Sequence, residues 1–113
     1  MRPALLAAVL CLAATSTFAQ QIEAGSETDR LLWCGAAFGV LAETQSARND
    51  GIGAAASRAL ATEGLTRAAT ALLAEGMSGE SFAVLAADYA ERVMAPFREF
   101  SLSQAECEEL IGG

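Results

Sequence analysis

From Asp29 to Ala47 apolar residues return every three or four positions. At about 100° per residue, Leu31, Cys34, Phe38, Leu41 and Ala42 fall on one face, with Gly35 beside them. That spacing predicts a first helix packed on a core. Trp33 and Val40 lie on roughly the opposite side and Leu32 on a third flank, so the helix is apolar over more than one stripe. Two readings stay open: neighbouring helices cover it on two sides, or Trp33, Ala37 and Val40 form a surface for a protein partner. Ser26 or Thr28 is placed to cap the helix, with Glu27 and Asp29 at the positive end of its dipole. Arg48-Asn49-Asp50-Gly51 ends it, Asn and Gly being suited to left-handed backbone.

Ile52 to Glu75 is also helical in pattern. Ile52, Ala59 and Leu60 share a face, but Leu65 and Leu72 would fall on the other side of a straight helix. A break at Gly64 realigns them, so the pattern predicts helices near 52–62 and 65–75, with one long helix as the alternative. Gly76-Met77-Ser78-Gly79 is a turn, and Ser78 caps the next helix. From Gly79 to Ala95, Phe82, Leu85, Ala86, Tyr89 and Val93 line one face while Asp88, Glu91 and Arg92 face water. Pro96 ends or bends this helix, and Phe97 and Phe100 continue the apolar line. Ser103-Gln104-Ala105-Glu106 is a capping box opening a short last helix with Cys107, Leu110 and Ile111. The fold expected is all-α: four or five short helices around one core, with no strand candidate and no internal repeat.

The N-terminus reads differently. Arg2, an apolar run from Pro3 to Ala14 and the small-residue stretch Thr15–Ala19 form an export signal, with cleavage expected between Ala19 and Gln20. The apolar run is too short to span a bilayer, which needs about 20 residues. A lipid on Cys11 is the weaker alternative, since Leu10 stands where a small residue is wanted. The expected organisation is a signal peptide at 1–19, a loose tail at 20–27 and a helical domain at 28–113, without a membrane anchor after cleavage. Export makes a Cys34–Cys107 disulfide the simplest use of the remaining cysteines. In the chain-entropy model a loop of that length is stabilised by about 4 kcal/mol.

Charge narrows the partners. Cleavage removes Arg2 and none of the acids, leaving six arginines against fourteen acids and a side-chain charge of −8, with no lysine or histidine. Such a chain repels nucleic acid and anionic membrane. Without histidine there is no Ser-His-Asp triad, no Cys-His pair and no histidine metal site. A bridged cysteine pair leaves no thiolate for zinc, and no C-x-x-C is present. The stretch Gly51-Ile52-Gly53-Ala54-Ala55-Ala56 matches G-x-G-x-x-A, but a dinucleotide fold needs a buried strand before the first glycine, and Glu43–Asp50 is polar and helical. Neither a catalytic set nor a cofactor is expected.

A carboxylate pair could still hydrolyse glycosides. Most acids here have cap or surface roles; Glu43, on a largely apolar helix, is the least implausible catalytic acid. Tyr89 is expected to pack in the core with its hydroxyl at the edge or bonded to backbone. Arg30 and Arg92 are expected to pair with nearby acids. The run Trp33-Cys34-Gly35-Ala36-Ala37-Phe38, in a small exported helical chain with one bridge, resembles the start of the periplasmic acid-stress chaperones. Those have a residue between Trp and Cys and an earlier second cysteine, so no residue roles follow. The function expected is a non-catalytic exported interaction module: adaptor, inhibitor, immunity-type or chaperone-like. The alternative is a small carboxylate hydrolase or ligand-binding domain.

Overall fold

The computed structural model describes residues 22–96 and 102–112. The expected signal peptide, its cleavage site, Cys11, and Phe97 and Phe100 lie outside the described residues. Within them the chain forms four helices and no strand: α1 (Glu27–Ala47), α2 (Gly51–Ala74), α3 (Gly79–Met94) and α4 (Gln104–Gly112). The fold is all-α, as the periodicity predicts, with α1 in contact with each of the other three helices.

The helix ends are set by local chemistry. Ser26 Oγ accepts from Asp29 N–H (3.2 Å) and Ser78 Oγ from Ser81 N–H (3.1 Å). At α4 the capping box is reciprocal: Ser103 Oγ accepts from Glu106 N–H (3.1 Å) and Glu106 Oε1 from Ser103 N–H (3.2 Å). These bonds, helped by the charge of Arg30, hold the Glu106 carboxyl below its ordinary value. Both α1 and α2 close with Schellman motifs. Asn49, at φ 63°, donates to Ser46 O while Asp50 N–H reaches back to Gln45 O. Gly76, at φ 102°, donates to Leu73 O and Met77 N–H to Leu72 O, and Met77 and Leu72 are both buried in the core. Asp50 also opens the next helix, its Oδ1 accepting from Gly53 N–H (2.9 Å).

The break expected at Gly64 is absent: α2 runs unbroken for 24 residues. Of the two faces read from the large apolar residues, the one with Leu65 and Leu72 is the buried one, and the one with Ile52 and Ala59 faces water. The buried face is a stripe of mostly small side chains, Ala54, Ser57, Ala61, Gly64 and Ala68, ending at Leu72. Ile52 is 89 % exposed and Ala59 is exposed. The reason is close approach of two backbones. A Cβ on Gly64 would meet Ile111 Cδ1 at 2.8 Å and lie 3.5 Å from Gly35 Cα, and one on Gly35 would meet Leu65 Cγ at 2.9 Å. Gly64 is therefore a crossing point where α1 passes, not a terminator. At the far end of the pair, Ser57 Oγ donates to Gln45 Oε1 (2.6 Å).

On α3, Tyr89 and Val93 are buried and Phe82, Leu85 and Ala86 half-buried, while Asp88, Glu91 and Arg92 face water. The amphipathic face is the one predicted. Cys34 and Cys107 are joined, with an S–S distance of 2.06 Å across 73 positions of sequence. Arg67 of α2 secures the end of α4, donating to the carbonyls of Ile111 (3.0 Å) and Leu110 (3.1 Å).

Candidate functional site

Helix α1 is covered over most of its first four turns. Leu32 and Cys34 have no exposed surface, Leu31 and Phe38 almost none, and Trp33 is 6 % exposed. A freely projecting tryptophan anchor is thus ruled out: the indole is taken up by its own chain, in one buried cluster with Tyr89 and Val93 of α3. Ala37, Val40 and Leu41 remain half-buried. With Trp33 they form one wall of an open groove of about 370 Å³. Val93 and Met94 supply a second wall, and Leu102, Gln104 and Cys107 a third. Met94 is 60 % exposed at its edge. The three residues singled out in sequence, Trp33, Ala37 and Val40, are thereby brought together, but in a concave site rather than a flat patch.

No described residue lining this groove carries a charge; Thr44 and Gln104 are its polar members. Sites that receive small or extended ligands are commonly of this size and largely apolar, with a few polar groups to orient the occupant. A second cleft, of about 350 Å³, lies between the start of α1 and the last turns of α2. Among the described residues it holds a single acid, Glu27, together with Thr28, Arg67 and Thr70. Arg67 there is already committed to the α4 carbonyls. Glu43, the acid considered for catalysis, is exposed and lines neither cavity. Among the described residues no three acids or cysteines come together to hold a metal ion.

The buried polar centre is elsewhere, and its pairing was not anticipated from sequence. Asp29 is 8 % exposed despite sitting in the first turn of α1. Its Oδ1 accepts from the Tyr89 hydroxyl, 60 residues away, and its Oδ2 from Gly25 N–H (2.8 Å). The Arg92 guanidinium lies over the Tyr89 ring, 3.9 Å from its centre, and pairs with Asp88 (3.1 Å). Burial, the hydrogen bond to Asp29 and that carboxylate's charge push the Tyr89 hydroxyl up to about 12. The same carboxylate orders the chain before α1. Gly25 is tied to it, Ser26 N–H reaches Glu23 O (3.1 Å), and Ile22 packs on the core. The part of the expected loose tail from Ile22 onward is therefore fixed. The one sequence signal was the S-x-x-D spacing of Ser26 and Asp29, which marks a helix start but is silent about a partner on α3. Asp29 and Tyr89 line neither the groove nor the cleft, so the geometry makes them a joint between α1, α3 and the preceding turn.

Among the described residues no helix is long and apolar enough to cross a membrane. Compared with family models, with curated proteins and with solved structures, the chain matches none.

Proposed function

We propose that this protein is a small exported interaction module that receives an apolar segment of a protein partner in the groove between α1, α3 and the start of α4. The observation that carries the reading is the lining of that groove: Trp33, Ala37, Val40, Leu41 and Met94, without a charged group among the described residues. Apolar concavities with an aromatic side chain in the wall are the usual seats of binding energy in protein interfaces. A carboxylate hydrolase needs two acids converging on one cavity, and among the described residues the groove and the cleft offer one acid between them. The export signal and the disulfide support a location outside the reducing cytoplasm. The acidic balance disfavours nucleic acid and anionic membrane as partners.

The test is affinity capture from the native extracytoplasmic compartment with wild type and Val40→Arg. Val40 is half-buried, so the arginine can place its head in water while blocking the groove. Circular dichroism first confirms that both are folded. Recovery of a partner by wild type and its loss with Val40→Arg is the expected result. Equal recovery of every partner by both proteins would refute the proposal.

A further inference from the structure

Cys107 has two roles in the geometry. It is the covalent partner of Cys34 and part of the groove wall. Helix α4 buries only two of its nine residues, Cys107 and Ile111, so one of its two buried anchors is the bridge itself. It is also held by the Arg67 fork on its last carbonyls, the seating of Ile111 against Gly64 and the half-buried Leu110. A nine-residue helix is well short of the length at which helices persist unaided in water. By contrast α1 and α2 bury nine and six residues, and they cross through Gly35 and Gly64 without help from the bridge.

We infer that the Cys34–Cys107 bond is a redox-sensitive latch on the groove: oxidised, it holds the α4 wall in place; reduced, it releases that wall while α1 and α2 stay paired. The inference rests on the groove being the binding face, and it makes binding conditional on an oxidising compartment. The reductant is a small dithiol. Both cysteines are buried, so the bridge is reached when the short α4 frays, and one thiolate of the reductant then attacks Cys107 Sγ, the sulfur carried by that helix. The protein S–S bond breaks, a mixed disulfide forms, and Cys34 leaves as a thiolate that takes up a proton. The second thiol of the reductant attacks the mixed disulfide. Cys107 then leaves as a thiol, and the reductant departs as a cyclic disulfide, having given two electrons to the bridge.

The test is amide hydrogen exchange on the intact mature chain with and without dithiothreitol, with mass analysis confirming both thiols free. On reduction, the amides of Gln104–Ile111 should lose protection by at least about tenfold more than those of α1 and α2. Emission of the single tryptophan, Trp33, should shift to the red as its wall opens. The Cys34→Ser/Cys107→Ser double variant should reproduce both changes without reductant. Three results would overturn the latch: α4 protection unchanged relative to α1 and α2, all helices losing protection together, or Trp33 emission unmoved once α4 is released. Failure of Val40→Arg to alter partner capture is a separate outcome: it removes the binding reading and leaves the release of α4 standing or falling by exchange.

Discussion

Gly35 and Gly39 are one turn apart on α1, and the same substitution should have opposite signs at the two positions. Alanine in place of glycine in a helix interior contributes about 1 kcal/mol through reduced chain entropy in the unfolded state. At Gly39 nothing lies within 4 Å of an added Cβ, so Gly39→Ala should stabilise by about 0.5–1 kcal/mol. At Gly35 the added carbon meets Leu65 Cγ at 2.9 Å, Leu65 Cδ2 at 3.0 Å and the Leu65 backbone nitrogen at 3.3 Å. Relief requires α1 and α2 to separate or Leu65 to leave its rotamer, and overpacking of this kind costs about 1–3 kcal/mol. The steric term exceeds the helix-propensity gain, and Gly35→Ala should lose about 1 kcal/mol net. The assay is urea unfolding followed by circular dichroism with the disulfide intact. A second measurement isolates the cause. In a Leu65→Ala background the two side-chain contacts are gone, so Gly35→Ala should become neutral or stabilising, a coupling of about 1 kcal/mol or more. Equal shifts of the same sign for Gly35→Ala and Gly39→Ala would refute the close crossing, as would a Gly35→Ala cost that is the same with and without Leu65.

Tyr89 is the single tyrosine, so ultraviolet absorbance follows it directly; it should titrate near 12 rather than at the ordinary 10.0. Because its value is raised on folding, the stability it contributes is complete below pH 10 and lost as pH rises through 12. Asp29→Asn should move the titration down toward the ordinary value, and an unmoved midpoint would disprove the Asp29 contact. Ser103→Ala removes the α4 cap and should cost about 1 kcal/mol by thermal or chemical unfolding at neutral pH. Glu106 is held low by the same cap, so its share is present above its unfolded value and fades as pH falls through the folded one. If unfolding of wild type and Ser103→Ala differed equally at neutral and acid pH, that coupling would be absent. Phe38→Ala, at a side chain 3 % exposed, should cost about 3 kcal/mol. Val84→Ala, at one 72 % exposed, should stay within about 0.5 kcal/mol by the same measurement.

Much of this molecule is decided within a few residues of sequence, and that part is legible without a structure. Ser26, Ser78 and the Ser103–Glu106 box each satisfy an amide three positions away, so the start of α1, α3 and α4 follows from the local chain. Asn49 and Gly76 end α1 and α2 for the same kind of reason: a left-handed residue lets the last carbonyls find partners close by. The α3 face is legible because its large side chains are the ones that are buried. Cys34 and Cys107 are legible as a pair because no other cysteine follows the expected cleavage site.

Tertiary structure alone decided how the helices meet. Gly64 has the same identity whether it ends a helix or lets another backbone pass, and only the arrival of Gly35 and Ile111 on that face selects the second. The small-residue stripe of α2 carries little hydrophobic contrast, so Ile52 and Leu60 outweighed it in the pattern although close approach, not side-chain size, sets that interface. Trp33 and Val40 share a flank of α1, yet packing with α3 leaves the first buried and the second half-buried in the groove wall. Asp29 reads as an ordinary first-turn acid until Tyr89 arrives from 60 residues away. Caps are contacts between residues that any fold of this chain keeps adjacent. Crossings, grooves and buried acid–hydroxyl pairs depend on how distant segments pack, which no local window of sequence contains.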